Sequence, residues 1–370
     1  MEQSKHIKTI TVPEFPLWEK AKNTRTLLSL SLEITSRCNN NCVHCYINTP
    51  EKDVSSIRSE LSFKQLTNII DEACELGALW ILFSGGEPLL REDFFDLYIY
   101  AKKKGMLVSV FTNGSLISPK HVKLFRSYPP RALEITVYGV TQSVHRRVTR
   151  ADFFAKTMVG IDLLKQGSLP ITLKAVAMKS NFNEMQQIFD FCEKNSDRPV
   201  RIDAFLNFRY DRNRQKNKLI QAERLSPEKF IEIDKLYKKK YDALKKQCQG
   251  IDNNSVDPDQ CDKLLRCAAG VNSCCISPNG TFTLCSLLNS DEFSYDLNNG
   301  SLKEAWEVFT PEIRNKRVSS FEYMNNCGSC DIFNICPYCA GSANLEGGNP
   351  VAQIPYFCEI GEKRYLQFKK

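Results

Sequence analysis

No stretch of this sequence stays apolar for long. The longest such run is Leu79–Phe83 with its flanks, far short of the roughly 20 residues that a membrane-spanning helix needs. The opening residues, MEQSKHIKTITVPEF, lack the apolar core of a secretory signal, so the expectation is a cytoplasmic protein with no membrane partner. A basic stripe with interleaved aromatics is also missing, and the net charge of +7 is mild; no nucleic-acid partner is expected. The Lys/Arg-rich pieces 209–218 and 235–246 read as solvated surface, or as a docking face for an acidic peptide or a small acidic electron donor. There is no long internal repeat and no low-complexity tract. The chain has 370 residues, 42% apolar and 25% charged, which excludes a mainly disordered or fibrous protein and suggests two or three folded units.

What the sequence has in excess is cysteine. There are sixteen, and they cluster. Three fall within Cys38–Cys45 and eleven between Cys248 and Cys358; only Cys74 and Cys192 lie between. A chain of this length buries an adequate core without disulfide staples. With no export signal the thiols stay reduced, and clustered reduced thiols read as metal ligands or redox centres. Cys74 and Cys192 fall within helical patterns and read as small buried apolar residues.

From residue 30 to about 206, strand-like and helix-like patterns alternate. The strand candidates are Leu30–Thr35, Leu79–Ser84, Leu107–Thr112, Leu133–Tyr138, Ile171–Met178 and Val200–Phe205. Near-continuous apolar runs of this length suit strands buried on both faces. Ser62 with Gln65 reads as a capping box, Gly77 as the end of that helix, and Ser118-Pro119 as a helix start. Six β–α units in sequence predict a parallel sheet with right-handed crossovers, two short of a closed eight-stranded barrel. The fold class is therefore α/β: a partial (β/α)6 TIM-type barrel, followed by a cysteine-rich domain. The expected division is an N-terminal extension (1–29), the barrel (30–206), a helical bridge (207–260) and the cysteine-rich domain (261–370). Within the bridge, Arg209–Lys218 reads as a loop, and one long Lys-rich helix runs from Ser226-Pro227 to about Gln247. Beyond Cys261 continuous apolar pattern is scarce, so this region is expected to depend on metal for stability.

Two motifs stand on consecutive strands. SLEITSRCNNNCVHCY places Cys38, Cys42 and Cys45 in a C-x3-C-x2-C run directly after the first strand. That is the C-terminal edge of the sheet, where sites form. Three such thiolates can hold three irons of a [4Fe–4S] cubane, leaving the fourth iron open; a zinc site is the alternative reading. The second strand ends in ILFSGGEPLL. Gly85 and Gly86 there allow close backbone approach to a ligand, and the Glu87 carboxylate beside Pro88 can accept hydrogen bonds from an ammonium group. In the C-terminal third, Cys327-x2-Cys330-x5-Cys336-x2-Cys339 is followed by Cys358 and preceded by Cys261-x5-Cys267 and Cys285. These eight satisfy two tetrahedral zincs or two cubanes equally well.

Together these residues resemble the radical S-adenosylmethionine (SAM) enzymes. The resemblance spans roughly Ser31 to Cys358. It implies that Cys38, Cys42 and Cys45 hold a [4Fe–4S] cluster to which SAM binds. SAM is then cleaved reductively, and the resulting 5′-deoxyadenosyl radical abstracts a hydrogen atom from the substrate. His44 fills the usual aromatic place before the third cysteine. By the same resemblance, Glu87 contacts the SAM amino group, Asn113 and Thr136 stand near SAM, and Arg147 reaches its carboxylate. The C-terminal cysteines resemble the SPASM extension, which carries two auxiliary [4Fe–4S] clusters. The resemblance assigns Cys261, Cys267, Cys285 and Cys339 to one, and Cys327, Cys330, Cys336 and Cys358 to the other. Cys339 comes one residue earlier than the usual x3 spacing. Cys274 and Cys275 lie close enough to substitute for an assigned ligand, and Cys248 is left open.

SPASM-bearing enzymes mostly act on ribosomally made peptides or proteins, by crosslinking, epimerisation or oxidation, so the expected substrate is a peptide. Maturation of a small-molecule cofactor or tetrapyrrole is the alternative, and a non-enzymatic iron–sulfur or zinc scaffold a remote third. Sulfatase-maturing relatives carry an aspartate after the G-x4-C cysteine; here it is Ser286, which lowers that reading. Only 37 residues precede Cys38, too few for a fused leader-binding winged helix, so a separate leader-peptide-binding protein or the SPASM region itself is expected to recognise a leader. A flavodoxin- or ferredoxin-type donor supplies electrons.

Overall fold

The structure, a computed structural model, describes residues 16–251 and 258–369. Six parallel strands lie between residues 29 and 203: β1 (Ser29–Thr35), β2 (Trp80–Gly85), β3 (Leu107–Thr112), β4 (Ala132–Thr136), β5 (Ile171–Val176) and β6 (Arg201–Asp203). They lie side by side in that order, and each pairs in parallel with the next. The crossovers are α1 (Phe63–Glu75), α2 (Phe94–Lys103), α3 (Pro119–Ser127), the tandem α4 (Gln142–Thr149) and α5 (Phe154–Gln166), and α6 (Met185–Asn195). This is the expected open (β/α)6 barrel.

Alternation within each strand builds it. In β1, Leu30, Leu32 and Ile34 are at most 1% exposed and join the main core. The opposite face carries Ser31, Glu33 and Thr35. In β5, Ile171, Leu173 and Ala175 join the core, while Thr172, Lys174 and Val176 take the other face. The helix ends follow sequence chemistry: Ser62 and Gln65 cap each other at α1, Gly77 beyond it has φ +96°, and Ser118 with His121 forms the start of α3.

Three strands, β4, β5 and β6, end two residues earlier than the apolar runs suggested, because side chains turn the backbone. Asn181 donates to the carbonyls of Val176 and Tyr138 and accepts from Met178 N–H. Asp203 accepts Phe205 N–H at 2.9 Å, closing β6. The bridge differs more. The expected loop 209–218 becomes helical from Arg214 to Glu223, capped by Asn213; only Ile220 of this helix is buried, which is why its apolar pattern is weak. The single long helix is broken at Tyr237 into α7 (Pro227–Leu236) and α8 (Lys238–Gly250). The break lets Lys240 fold back onto the buried Asp234 at 2.8 Å, which also accepts from Arg364 at 2.8 Å. Ile231, Leu244 and Cys248 then form one small core with Ile335 and Phe368. Residues 252–257 of the bridge lie outside the described residues.

The cysteine-rich region also has more order than its pattern implied. β7 (Ser273–Ile276) pairs in parallel with β1 on the side away from β2, and antiparallel β8 (Thr281–Thr283) and β9 (Ser294–Asp296) extend the sheet to nine strands. Gly280, φ +88°, makes the β7–β8 turn. The C-terminal helix α9 (Pro355–Phe368) packs on α7 and α8. Arg224 with Glu346, at 2.6 Å, and Ser342 with Asn207, at 2.7 Å, join this region to the segment that follows the barrel. No described helix is long and apolar enough to cross a membrane.

Candidate functional site

A cavity of about 260 Å³ opens at the C-terminal edge of the parallel strands. Cys38, Cys42 and Cys45 all line it, together with Ser84, Gly85, Gly86, Asn113, Thr136, Tyr138, Lys174 and Asp203. Two motifs some forty residues apart in sequence thus meet in one place.

The cysteine loop is held from several sides. Asn41 and Val43 donate backbone N–H groups to Thr149 and Val148 at the end of α4. Arg209, 3% exposed, reaches from the bridge to the carbonyls of Cys45 and Asn48 and to Asn48 Oδ1, and is itself paired with Asp211. The sulfurs receive donors as well: Asn40 N–H and Asn113 Nδ2 point at Cys38 Sγ, and Asn48 N–H at Cys45 Sγ. Burial pushes the Cys38 thiol up to about 12 and raises Cys42 and Cys45; the Glu87 carboxylate adds to the rise at Cys38, and the neighbouring sulfurs add to it at Cys42. Three half-buried thiols, two of them with N–H donors aimed at the sulfur, favour a bound cation that draws off their protons. Burial also lowers His44 to about 4, so its ring is neutral; it lies 5.2 Å from the Tyr138 ring, and its Nδ1 is buried without a hydrogen-bond partner.

Gly85 and Gly86 press against the start of the cysteine loop. A Cβ on Gly85 would stand 2.1 Å from the Thr35 carbonyl oxygen, and one on Gly86 2.3 Å from that of Arg37. Gly85 has φ +128°, open to glycine and strained for other residues. The glycine pair is therefore what lets β2 and the cysteine loop close on each other.

Glu87 does not line the cavity. It is 0% exposed and accepts from Asn113 N–H at 2.7 Å, Thr112 Oγ1 at 2.8 Å and Leu89 N–H at 3.1 Å. Burial raises its carboxyl to about 7. Pro88 follows in a short 3-10 turn. Asn113, so positioned, donates to Asn39 Oδ1 at 2.7 Å and lines the cavity, as does Thr136. Arg147 stands apart: it lies on the exposed side of α4, outside the cavity lining, and donates to the Ser180 carbonyl. Lys174 and Arg209 were not singled out from the sequence. Lys174 had a signal, as the one charge inside the run ITLKAVAM; Arg209 lay in a polar stretch with none.

The C-terminal cysteines gather in two further cavities. One, of about 320 Å³, is lined by Cys327, Cys330, Cys336 and Cys358. The other, of about 120 Å³, is lined by Cys267, Cys285 and Cys339, with Arg266. Cys261 is outside that lining, though its carbonyl accepts from Arg266. Cys274 is buried in β7 within the core, and Cys275 lies on the same strand, opposite Ser31 of β1. Cys192 is buried and Cys74 packs on the core, both within helices; Cys248 belongs to the small core under α9. Among the described residues, no group of three Cys, His, Asp or Glu side chains is close enough to hold one metal ion. Single-ion coordination needs that convergence; a cubane, which gives each sulfur its own iron, does not.

An open parallel barrel with a three-cysteine loop and a glycine pair at its C-terminal edge defines the class, and the comparisons agree. Residues 32–192 match the family model described as the Radical SAM superfamily, and they are a radical SAM domain. The chain thus carries a radical SAM domain, of the kind that works with SAM and a [4Fe–4S] cluster. Among curated relatives, an AdoMet-dependent heme synthase of Methanosarcina barkeri is 25% identical over 360 residues, covering 88% of this chain and 95% of the relative. An Fe-coproporphyrin III synthase of the same organism is 30% identical over 161 residues, covering 44% of this chain and 40% of the relative. Among solved structures, SuiB of Streptococcus suis bound to the precursor peptide SuiA superposes with a TM-score of 0.61 over 96% of this chain and 84% of that one, at 15% identity. His6-tagged anSMEcpe with bound AdoMet gives 0.63 over 92% of each chain, also at 15% identity. At that identity the likeness is one of fold.

Proposed function

We propose that this enzyme modifies a ribosomally made peptide or protein by hydrogen abstraction, within the cytoplasm. Cys38, Cys42 and Cys45 are the ligands of the SAM-binding cluster. When bound, the cluster and SAM together supply a 5′-deoxyadenosyl radical. The chain's own part is to hold and shield. Asn113 and Arg209 fix the cysteine loop, the Gly85-Gly86 backbone offers close approach, and Tyr138, Phe111 and Phe205 wall the cavity. Cys327, Cys330, Cys336 and Cys358 are the ligands of one auxiliary cluster, and Cys267, Cys285 and Cys339, with Cys261, those of a second, in the SPASM manner. A flavodoxin- or ferredoxin-type protein is the electron donor.

The observation that favours a peptide is the charge of the cavity. Among the described residues its lining holds one cationic side chain, Lys174, and one acidic one, Asp203. An iron-coproporphyrin brings several propionate carboxylates, and burying them calls for several cations. The full-length likeness to heme synthases nevertheless favours tetrapyrrole chemistry as the second reading. Anaerobic incubation with the short peptides encoded beside the gene, read by mass spectrometry, tests the proposal. Loss of two hydrogens supports crosslinking or oxidation; unchanged mass with deuterium uptake supports epimerisation. Conversion of iron-coproporphyrin III with every peptide left unchanged would establish the second reading instead.

A further inference from the structure

Among the described residues Lys174 is the one cation lining the central cavity, and its ion pair with Glu134 is long. It projects from the lumen-side face of β5, in register with Thr136 on β4 and Arg201 on β6. Its ammonium sits over the Phe111 ring, 3.5 Å from the centroid. The acidic oxygen nearest to it is Glu134 Oε2 at 3.7 Å, longer than a good hydrogen bond. Glu134 is shared with Arg201 at 3.8 Å, and among the described residues that oxygen has no partner at hydrogen-bond distance. Two cations therefore divide one carboxylate. Asp203, the other charge in the lining, turns an oxygen back to Phe205 N–H. An ammonium carries three donors, and holding them in a partly dry cavity without close acceptors is costly. Burial accordingly pushes Lys174 down to about 8. Arg147, the residue the sequence offered as a carboxylate partner, stands outside this cavity.

We propose that Lys174 pairs with a carboxylate that enters this cavity with a ligand: either the carboxylate of SAM or an acidic side chain of the peptide. The inference rests on the radical SAM assignment of the cavity and not on the identity of the modified bond. The chemistry is the same from either source. One carboxylate satisfies the ammonium donors and restores neutrality among Lys174, Glu134 and Arg201. Lys174 is thus a binding residue, and Phe111 and Glu134 position it.

The test uses the anaerobically reconstituted full chain with Lys174→Met, which keeps the length that covers Phe111, and Lys174→Arg, which keeps the charge. Equilibrium dialysis measures SAM and decarboxylated SAM. If SAM is the source, Lys174→Met weakens SAM about tenfold or more, Lys174→Arg recovers much of the loss, and decarboxylated SAM binds wild type and Lys174→Met alike. If the peptide is the source, SAM binding is unchanged. Acetyl-Gly-Glu-Gly-amide then binds the SAM-loaded wild type at least several-fold better than its Gln counterpart, and Lys174→Met erases the difference. Iron content equal to wild type shows that the fold persists; if Lys174→Met loses iron, Lys174→Gln carries the same comparisons. SAM affinity within twofold of wild type, together with no Glu-over-Gln preference in the wild type, would overturn the proposal. Because no turnover is measured, failure of the peptide reading leaves the SAM arm intact.

Discussion

The carboxylate of Glu87 accepts the backbone N–H of Asn113 at 2.7 Å, deep beneath the cavity rather than inside it. The contact ties the end of β2 to the end of β3. It also aims Asn113 toward Asn39 and Cys38 of the cysteine loop.

Glu87→Ala is therefore expected to act on the scaffold first. Three donors, one buried and two partly buried, lose their acceptor, at a cost of roughly 2–4 kcal/mol. Denaturant unfolding of the apoprotein reads this, with Glu87→Gln losing less. An alanine variant as stable as wild type that no longer binds SAM would instead show that the carboxylate meets the ligand directly.

Gly86→Ala is expected to disrupt the site without touching a ligand, since the new Cβ would sit 2.3 Å from the Arg37 carbonyl oxygen and 2.6 Å from that of Ser36. The cysteine loop has to move away. Reconstituted protein should lose about four irons per chain, one cubane's worth, and with them SAM cleavage. Iron retained at the wild-type level would show that the loop yields easily.

The three cavities predict the iron count. Wild type should hold about twelve irons per chain for three cubanes. Replacing Cys38, Cys42 and Cys45 by alanine should leave about eight and abolish 5′-deoxyadenosine formation. Cys339→Ala should also cost about four, because Cys339 lines a cavity with Cys267 and Cys285 despite its early spacing. Cys192→Ala, in the helical core, should cost none. Zinc in place of iron after anaerobic reconstitution would refute the whole assignment.

The contribution of Glu33 to stability should fall as pH rises between about 4.5 and 7. Glu33 lies on the polar face of β1, 5% exposed, and burial raises its carboxyl from 4.5 to about 7. In that window the unfolded chain ionises while the folded one keeps the proton, which withdraws on the order of 1 kcal/mol per pH unit. Glu33→Gln should flatten this slope and leave the apoprotein more stable than wild type at pH 8, as read by thermal unfolding at both ends of the range. Identical slopes for the two proteins would show that Glu33 is ionised in the native state.

Much of this was readable from the chain. The six strands and their order follow from local patterns repeated six times, and a parallel sheet with right-handed crossovers leaves little topological choice. The Cys38, Cys42 and Cys45 loop and Gly85-Gly86 were legible because each motif is contiguous and sits at a strand end. The split of the Lys-rich helix at Tyr237 was not, because the contacts that accompany it, Asp234 with Lys240 and with Arg364 some 130 residues away, are tertiary. Nor was the strand Ser273–Ile276, whose short cysteine-bearing run becomes a strand by pairing with β1.

The sequence by itself therefore determined the barrel, the cysteine loop and the chemistry those thiols imply, since these depend on periodicity and on side chains near one another in the chain. Tertiary structure alone decided the roles of single residues. It buried Glu87 under the cavity, set Arg147 outside it, clamped the cysteine loop with Arg209 from the bridge, and placed the Lys174 ammonium in the cavity lining. Which way a side chain points, and what shares its cavity, is fixed by strands meeting across the sheet, and no local pattern carries that information.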